Sequence, residues 1–172
     1  MEIGCGAGPI LYTIDRHCEI SRGLGIDLDS RAIDIARRVN TGNRLFFEED
    51  VLYDLPRHRV ERYNCILCFD VLHHIPKQEK FYFLDYLTTV VREGTVILLK
   101  DLDTTPWYKA RANDITDWLS SRSLVSYMSM ENMIEYFKKR GFDIIQSARL
   151  DMWVWSHFLV VARKSNDDYS RK

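Results

Sequence analysis

The sequence predicts an α/β fold, a three-layer sandwich built on a mainly parallel sheet. Short apolar runs alternate with amphipathic stretches along the 172 residues, which is typical of a parallel sheet covered by helices. A glycine-rich turn, "EIGCGAG", links the first run to the first amphipathic stretch. The last two runs are joined by too few residues for a helical crossover, so we expect this final pair to be antiparallel.

Seven apolar runs are the predicted strands. They are residues 1–3, 23–28, 44–50, 63–69, 94–102, 142–150 and 156–164. The first is only a stub. Residues 151–155 alone separate the last two, which allows a hairpin but no parallel connection. The sheet is therefore predicted to be parallel except for one reversed strand near its edge.

Four amphipathic stretches are the predicted helices. They are residues 9–17, 30–40, 77–91 and 129–142. Pro9 suits the first position of a helix, and Ser129 and Gly141 are the expected N-cap and stop of the last one. The second helix carries apolar residues at helical spacing, namely Ile33, Ala36 and Val39.

We expect a single domain over residues 1–172. Residues 104–128 interrupt the alternation and are rich in aromatic side chains, which predicts an insertion or cap on the substrate side of the sheet. Residues 165–172 are polar and charged and are predicted to form a disordered tail.

Charge and hydropathy exclude several classes of protein. The 24 Lys and Arg residues nearly balance the 25 Asp and Glu residues, so a dedicated nucleic-acid binder is not expected. No apolar run approaches the ~18 residues of a membrane span, and the first residues do not resemble a signal peptide. We therefore expect a cytoplasmic protein with no membrane partner.

Four cysteines raise the question of a metal or redox site. Cys65 and Cys68 have the CxxC spacing, but they lie in an apolar run that is predicted to be a strand. Residues three apart in a strand point to opposite faces, so the two sulfurs cannot share a metal. We interpret the cysteines as reduced core residues and predict no metal.

The glycine turn indicates a nucleotide-like ligand, because Gly4, Gly6 and Gly8 allow a close approach between backbone and ligand. A phosphate-binding P-loop needs Gly-Lys-Ser/Thr after the turn, where this chain has Pro9. Pro9 also breaks the GxGxxG fingerprint of dinucleotide folds, which leaves a nicotinamide-dependent oxidoreductase as a weak alternative. What remains is GxGxG preceded by Glu2.

With these motifs the sequence resembles the class I S-adenosylmethionine-dependent methyltransferases, over nearly its whole length. The resemblance is carried by four segments in order: "EIGCGAG", "GIDLD", "EEDV" and "FDVLHHIP". It implies a Rossmann-like fold and S-adenosylmethionine as the cofactor. Relatives of this kind place further helices before the glycine turn, so this chain is expected to be short at its amino terminus.

The resemblance implies a set of cofactor-binding residues. They are Glu2, Gly4, Gly6, Gly8, Asp27, Leu28, Asp50, Val51, Cys68 and Phe69. Asp27 is expected to accept hydrogen bonds from both ribose hydroxyls, whereas Asp29 suits the N-cap of the next helix. The Asp50 carboxylate is expected to meet the adenine amino group, and the Val51 amide the ring edge.

The other members of this set are assigned to the amino-acid end of the cofactor. Glu2 and the amides of the glycine turn are expected to hold its amino and carboxylate groups. Cys68 and Phe69 end the fourth run and are expected to border the methionine moiety.

His73 and Asp101 are the candidate catalytic residues, as general bases near the acceptor. Asp103 is a further candidate, and His74 is expected to cap or pack. A base is needed only when the acceptor arrives protonated, because the sulfonium already activates the methyl group.

We expect a methyltransferase that acts on a small molecule, since the Asn/Asp-Pro-Pro-Tyr motif of nucleic-acid amino methylases is replaced by "FDVL". The alternative is a module that binds S-adenosylmethionine without catalysis and serves as a partner or regulator. The short amino terminus motivates this alternative. A dimer is one way to cover that terminus, but the sequence does not determine the oligomeric state.

Overall fold

The computed structural model describes residues 1–103, 128–152 and 155–166. Seven strands form one sheet in the order β3-β2-β1-β4-β5-β7-β6. In chain order the strands are β1 (Glu2–Ile3), β2 (Gly23–Asp27), β3 (Leu45–Glu49), β4 (Cys65–Phe69), β5 (Val96–Leu102), β6 (Phe142–Met152) and β7 (Trp155–Lys164). Residues 104–127 of the predicted insertion (104–128) and residues 167–172 of the predicted tail (165–172) lie outside the described residues.

Five α-helices in the described residues connect and cover these strands. They are α1 (Pro9–His17), α2 (Ser30–Val39), α3 (Arg57–Val60), α4 (Lys77–Val90) and α5 (Met130–Lys139). The predicted caps are confirmed, because Asp29 accepts from the Arg31 amide at the start of α2 and Ser129 accepts from the Asn132 amide at the start of α5. None of the helices described is long and apolar enough to span a membrane.

The strand directions confirm the predicted Rossmann-like α/β fold. β1 lies in the sheet between β2 and β4 and runs parallel to both, although it has only two residues. β7 is antiparallel to both of its neighbours, β5 and β6. The reversed strand therefore lies one position in from the edge, as the short link between the last two runs predicts.

Helices cover both faces of the sheet, which gives the three layers. One core cluster packs apolar residues of α3, α4 and α5 against one face, where Ile66 and Cys68 of β4 point. The second cluster packs Leu11 of α1 and Ile33 of α2 against the other face, where Leu67 points. Alternate residues of β4 thus enter opposite cores, as expected for a strand that is buried on both sides.

Two local expectations are corrected. Val39, predicted to share the buried stripe of α2, is 60% exposed. Successive steps of three residues turn by about 300°, so the stripe drifts and Asn40, seven residues after Ile33, takes the inward position. The cysteines are not all core residues, because Cys18 and Cys65 are exposed whereas Cys5 and Cys68 are buried.

Candidate cofactor-binding site

A cavity of about 730 Å³ lies at the carboxyl ends of β1, β2, β3 and β4. This is the edge at which open α/β sheets bind their ligands. Its lining comprises Ile3, Gly4, Gly6, Ile26, Asp27, Leu28, Asp50, Val51, Leu52, Tyr53, Asp70, Val71, His74, Ile75, Pro76, Glu79, Tyr82 and Phe83. Six of the predicted cofactor residues are in this lining: Gly4, Gly6, Asp27, Leu28, Asp50 and Val51.

The glycine turn brings backbone directly to the cavity wall. Gly4 has φ +68°, and a Cβ there would lie 2.4 Å from the Cγ2 atom of Val71. Gly6 has φ +52° and open space where its Cβ would be. Gly8 is absent from the lining, and a Cβ there would meet the Phe47 ring instead. The first two glycines therefore shape the cavity, whereas the third packs against β3.

Asp27 joins the glycine turn to the end of β2. Its Oδ2 accepts the Gly6 amide at 2.7 Å, and its Oδ1 accepts the Asp29 amide at 2.9 Å. Each carboxylate oxygen has two lone pairs, so each keeps one for a further donor. Asp27 can therefore hold the turn in place and bind two hydroxyl groups at the same time.

Asp50 and Val51 follow β3 and line the same cavity. The Asp50 amide donates to the Asp27 carbonyl at 3.1 Å, which aligns the ends of β3 and β2. The Val51 amide donates to Asp50 Oδ1 at 2.8 Å. The Asp50 carboxylate and the Val51 amide, both expected to contact adenine, are thus bonded to each other in this structure. The Val51 amide can donate to a ligand only if it gives up its hydrogen bond to Asp50.

A match to a protein family identifies the family of the chain that carries this site. The family described as "Methyltransferase domain" matches residues 1–147. The chain belongs to the class I S-adenosylmethionine-dependent methyltransferase family. No curated protein matches its sequence.

Solved structures share the fold of this methyltransferase at low sequence identity. Magnesium protoporphyrin IX methyltransferase from Synechocystis PCC 6803, solved with bound S-adenosylhomocysteine, is 17% identical with a TM-score of 0.75, over 95% of this chain and 73% of that one. A methyltransferase from Methanosarcina mazei is 15% identical with a TM-score of 0.75, over 96% and 92%. One from Mesorhizobium loti is 18% identical with a TM-score of 0.72, over 94% and 88%.

The residues of the cavity fit S-adenosylmethionine, the cofactor of this family. Gly4 and Gly6 leave the backbone open to a ligand, and Asp27 keeps lone pairs for hydroxyl donors. Leu28, at the rim, is largely exposed and offers an apolar surface. Together these residues suit a ligand that carries hydroxyl donors and an apolar surface.

Glu2 lies beneath the glycine turn rather than in the cavity lining. It is 1% exposed, and its Oε2 atom has no hydrogen-bond partner among the described residues. Burial raises the pKa of this carboxyl from 4.5 to about 7, and a hydrogen bond from the Leu11 amide opposes the rise. Its predicted role at the amino-acid end of the cofactor stays a prediction.

Cys68 and Phe69, predicted to border the methionine moiety, are also absent from the lining. Cys68 is fully buried, and burial raises the pKa of its thiol well above the usual value. The next residue, Asp70, lines the cavity instead. It adopts φ 58°, and its carboxylate binds Lys100 Nζ at 2.6 and 2.8 Å. His157 Nε2 lies 3.7 Å from the same carboxylate.

The two predicted catalytic residues contact each other outside the cavity lining. His73 Nδ1 lies 2.8 Å from Asp101 Oδ1, and Asp101 is 4% exposed beneath the turn that follows β4. Of the two adjacent histidines, His74 lines the cavity. Asp103, the further candidate base, is fully buried and binds Arg149 Nε at 2.9 Å.

Sequence reasoning missed the aromatic end of the cavity. Tyr53 lies in a 3-10 turn after β3 and Tyr82 on α4, and their ring centroids are 5.8 Å apart. Glu79 and Phe83 of α4 line the cavity beside them. The sequence does carry a signal for Tyr82. Phe83 and Leu84 belong to the core-facing stripe of the helix, and Tyr82 is a large aromatic residue outside that stripe, which indicates an exposed ring available to a ligand.

Proposed function

We propose that this methyltransferase transfers the methyl group of S-adenosylmethionine to a small-molecule acceptor. The observation that carries the proposal is one concave cavity in which the glycine turn, Asp27 and Asp50 converge from three different strands. Its volume of about 730 Å³ falls within the range of small-molecule sites, roughly 300–1,000 Å³.

Different residues of the cavity bind different parts of the cofactor. Asp27 accepts from the ribose hydroxyls with its remaining lone pairs, and Asp50 accepts from the adenine amino group. Tyr53 and Tyr82 supply apolar ring surface beside Asp50. The turn at Gly4 and Gly6 meets the amino-acid end of the ligand, where side chains would block the approach.

The chemistry requires orientation more than acid or base groups. When bound, the cofactor supplies a methyl group that is already activated by the positive sulfonium. The protein fixes the line between donor and acceptor, an effect worth up to ~7–11 kcal/mol in favourable systems. When the acceptor arrives protonated, His74 acts as the general base that removes its proton, because His74 is the histidine in the described cavity lining.

Charge supports a small acceptor over a nucleic acid. The described lining contains Asp27, Asp50, Asp70 and Glu79 but neither Lys nor Arg. Lys100 offsets only the charge of Asp70. Nucleic-acid binders neutralise phosphates with Lys and Arg, so an acidic cavity wall disfavours the phosphodiester backbone of a nucleic acid.

A labelling experiment tests the proposal. The protein is incubated with S-adenosylmethionine that carries tritium on its methyl group, together with separate metabolite, RNA and protein fractions of a cell extract. We expect label in the metabolite fraction with the wild type and with Asp29→Asn, and strongly reduced label with Asp27→Asn. Label in the RNA or protein fraction would contradict the acceptor class. Cofactor binding without transfer to any fraction would favour the non-catalytic module.

A further inference from the structure

We propose that Asp101 is a positioning residue that fastens the turn between β4 and α4 to β5, and so holds one wall of the cofactor cavity. The turn, defined as residues 70–76, contributes Asp70, Val71, His74, Ile75 and Pro76 to the cavity lining. The inference rests on the proposed function, because it assumes that this cavity binds the cofactor.

The Asp101 carboxylate is filled by donors from the turn and from its own strand. Its Oδ2 accepts the amides of Leu72 at 2.6 Å and His73 at 3.3 Å. Its Oδ1 accepts the Leu102 amide at 2.7 Å and lies 2.8 Å from His73 Nδ1. A carboxylate has about four lone-pair sites, and all are occupied. Asp101 therefore has no site left for a proton from an acceptor.

This arrangement determines the tautomer of His73. Backbone amides only donate, so the carboxylate acts as an acceptor toward all of its partners. A neutral imidazole carries one proton, and the short contact to Asp101 Oδ1 requires that proton on Nδ1. His73 Nε2 is then the acceptor nitrogen of the ring.

The bonds to Leu72 and His73 fix the residues on the other side of the turn. Leu72 is buried in the core, whereas Val71 and His74 line the cavity. The rings of His73 and His74 lie 3.9 Å apart between centroids. A buried carboxylate thus sets the position of a cavity-lining imidazole through the histidine between them.

A second fastening holds the start of the turn without Asp101. The Asp70 amide donates to the Lys100 carbonyl at 2.9 Å, and the two side chains form an ion pair. Loss of the Asp101 charge should therefore loosen the turn from Leu72 onward while the strands stay paired. This makes the role of Asp101 testable in a folded protein.

The test is Asp101→Asn. An amide offers one accepting oxygen and one donating nitrogen, so at least one N–H group of the turn or of Leu102 faces another donor. We expect the dissociation constant for S-adenosylhomocysteine to rise about tenfold. If the amide oxygen faces Leu102 and His73 Nδ1, we expect faster hydrogen exchange at the Leu72 amide. If it faces the turn instead, we expect loss of the Nδ1-protonated tautomer of His73 in nitrogen-15 NMR.

Two further variants make the result decisive. Asp143→Asn alters a carboxylate at the start of β6 that binds the Ser165 hydroxyl, and it should change none of the three measurements. His73→Phe keeps the backbone amide and the ring but removes the Nδ1 donor, so it should weaken binding less than Asp101→Asn. If Asp101→Asn does not fold, His73→Phe replaces it in the test. Unchanged affinity of His73→Phe for S-adenosylhomocysteine would then overturn the proposal.

A folded Asp101→Asn protein in which Leu72 exchange and the His73 tautomer are both unchanged, or one with unchanged affinity for S-adenosylhomocysteine, would overturn the positioning role. The exchange and tautomer measurements need no ligand. If the wild type fails to bind S-adenosylhomocysteine, the proposed function fails, whereas Leu72 exchange and the His73 tautomer together still decide whether Asp101 holds the turn to β5.

Discussion

Asp27 Oδ2 accepts a hydrogen bond from the Gly6 amide at 2.7 Å, across 21 residues of sequence. The bond ties the turn after β1 to the end of β2, and both residues line the cavity. The acid expected to bind the ribose therefore also shapes the turn expected to bind the amino-acid end. One substitution at this position should affect both parts of the site.

Gly4→Ala should destabilise the fold by about 2 kcal/mol or more. Gly4 has φ +68°, and an added Cβ would lie 2.4 Å from the Val71 side chain. The left-handed conformation alone costs roughly 1–2 kcal/mol for a residue with a Cβ. Urea unfolding measures the loss. Gly42→Ala is the control, since its Cβ would meet nothing within 4 Å, and its effect should stay below about 1 kcal/mol. Equal stabilities of the two variants would contradict the geometry of the turn.

Tyr82→Ala should weaken S-adenosylhomocysteine binding about three- to tenfold without loss of stability. Its ring is 61% exposed and lines the cavity, so truncation removes ligand contact rather than core packing. Phe81→Ala is a matched control, because Phe81 is 55% exposed on the same helix but is absent from the lining. Isothermal titration calorimetry on both variants decides, and an equal loss of affinity in the two would exclude the aromatic end from the site.

Glu2 should make stability fall as pH rises from 4.5 to about 7. Burial raises its pKa in the folded state from 4.5 to about 7, so in this window the folded protein holds a proton that the unfolded chain releases. At about 1.4 kcal/mol per pH unit, this shift corresponds to roughly 3–4 kcal/mol at most. It is fully present below pH 4.5 and is lost above the folded pKa.

Glu2→Gln removes this titration. We expect the difference in unfolding free energy between variant and wild type to grow in favour of the variant as pH rises through the window. Urea unfolding at several pH values measures it. A difference that does not change with pH would mean that Glu2 is ionised in the folded protein.

The sequence predicts the sheet and half of the site for identifiable reasons. Gly4, Gly6 and Asp27 could be placed because strand ends in a parallel sheet meet at one edge, so the order of motifs determines their proximity. The hairpin of β6 and β7 followed from the length of the link between them.

The rest of the site depends on side-chain direction within short turns. His73 and His74 are adjacent in a 3-10 turn, and only the fold determines that His73 turns toward Asp101 and His74 toward the cavity. The motif alone assigned Glu2 to the site, but its burial and its hydrogen bond with the Leu11 amide of α1 depend on tertiary packing. Tyr53 and Tyr82 meet across two elements that are separated by β4.

Calorimetric titration of S-adenosylhomocysteine into the wild type, Asp27→Asn and Asp29→Asn tests the central claim most directly. We expect one saturable site in the wild type. Affinity should fall roughly 10- to 100-fold in Asp27→Asn, because hydrogen bonds to a charged group are worth about 1.5–3 kcal/mol. Asp29→Asn should bind like the wild type, since Asn is an equally good N-cap. Absence of binding at millimolar ligand, or equal affinity in all three proteins, would contradict the account.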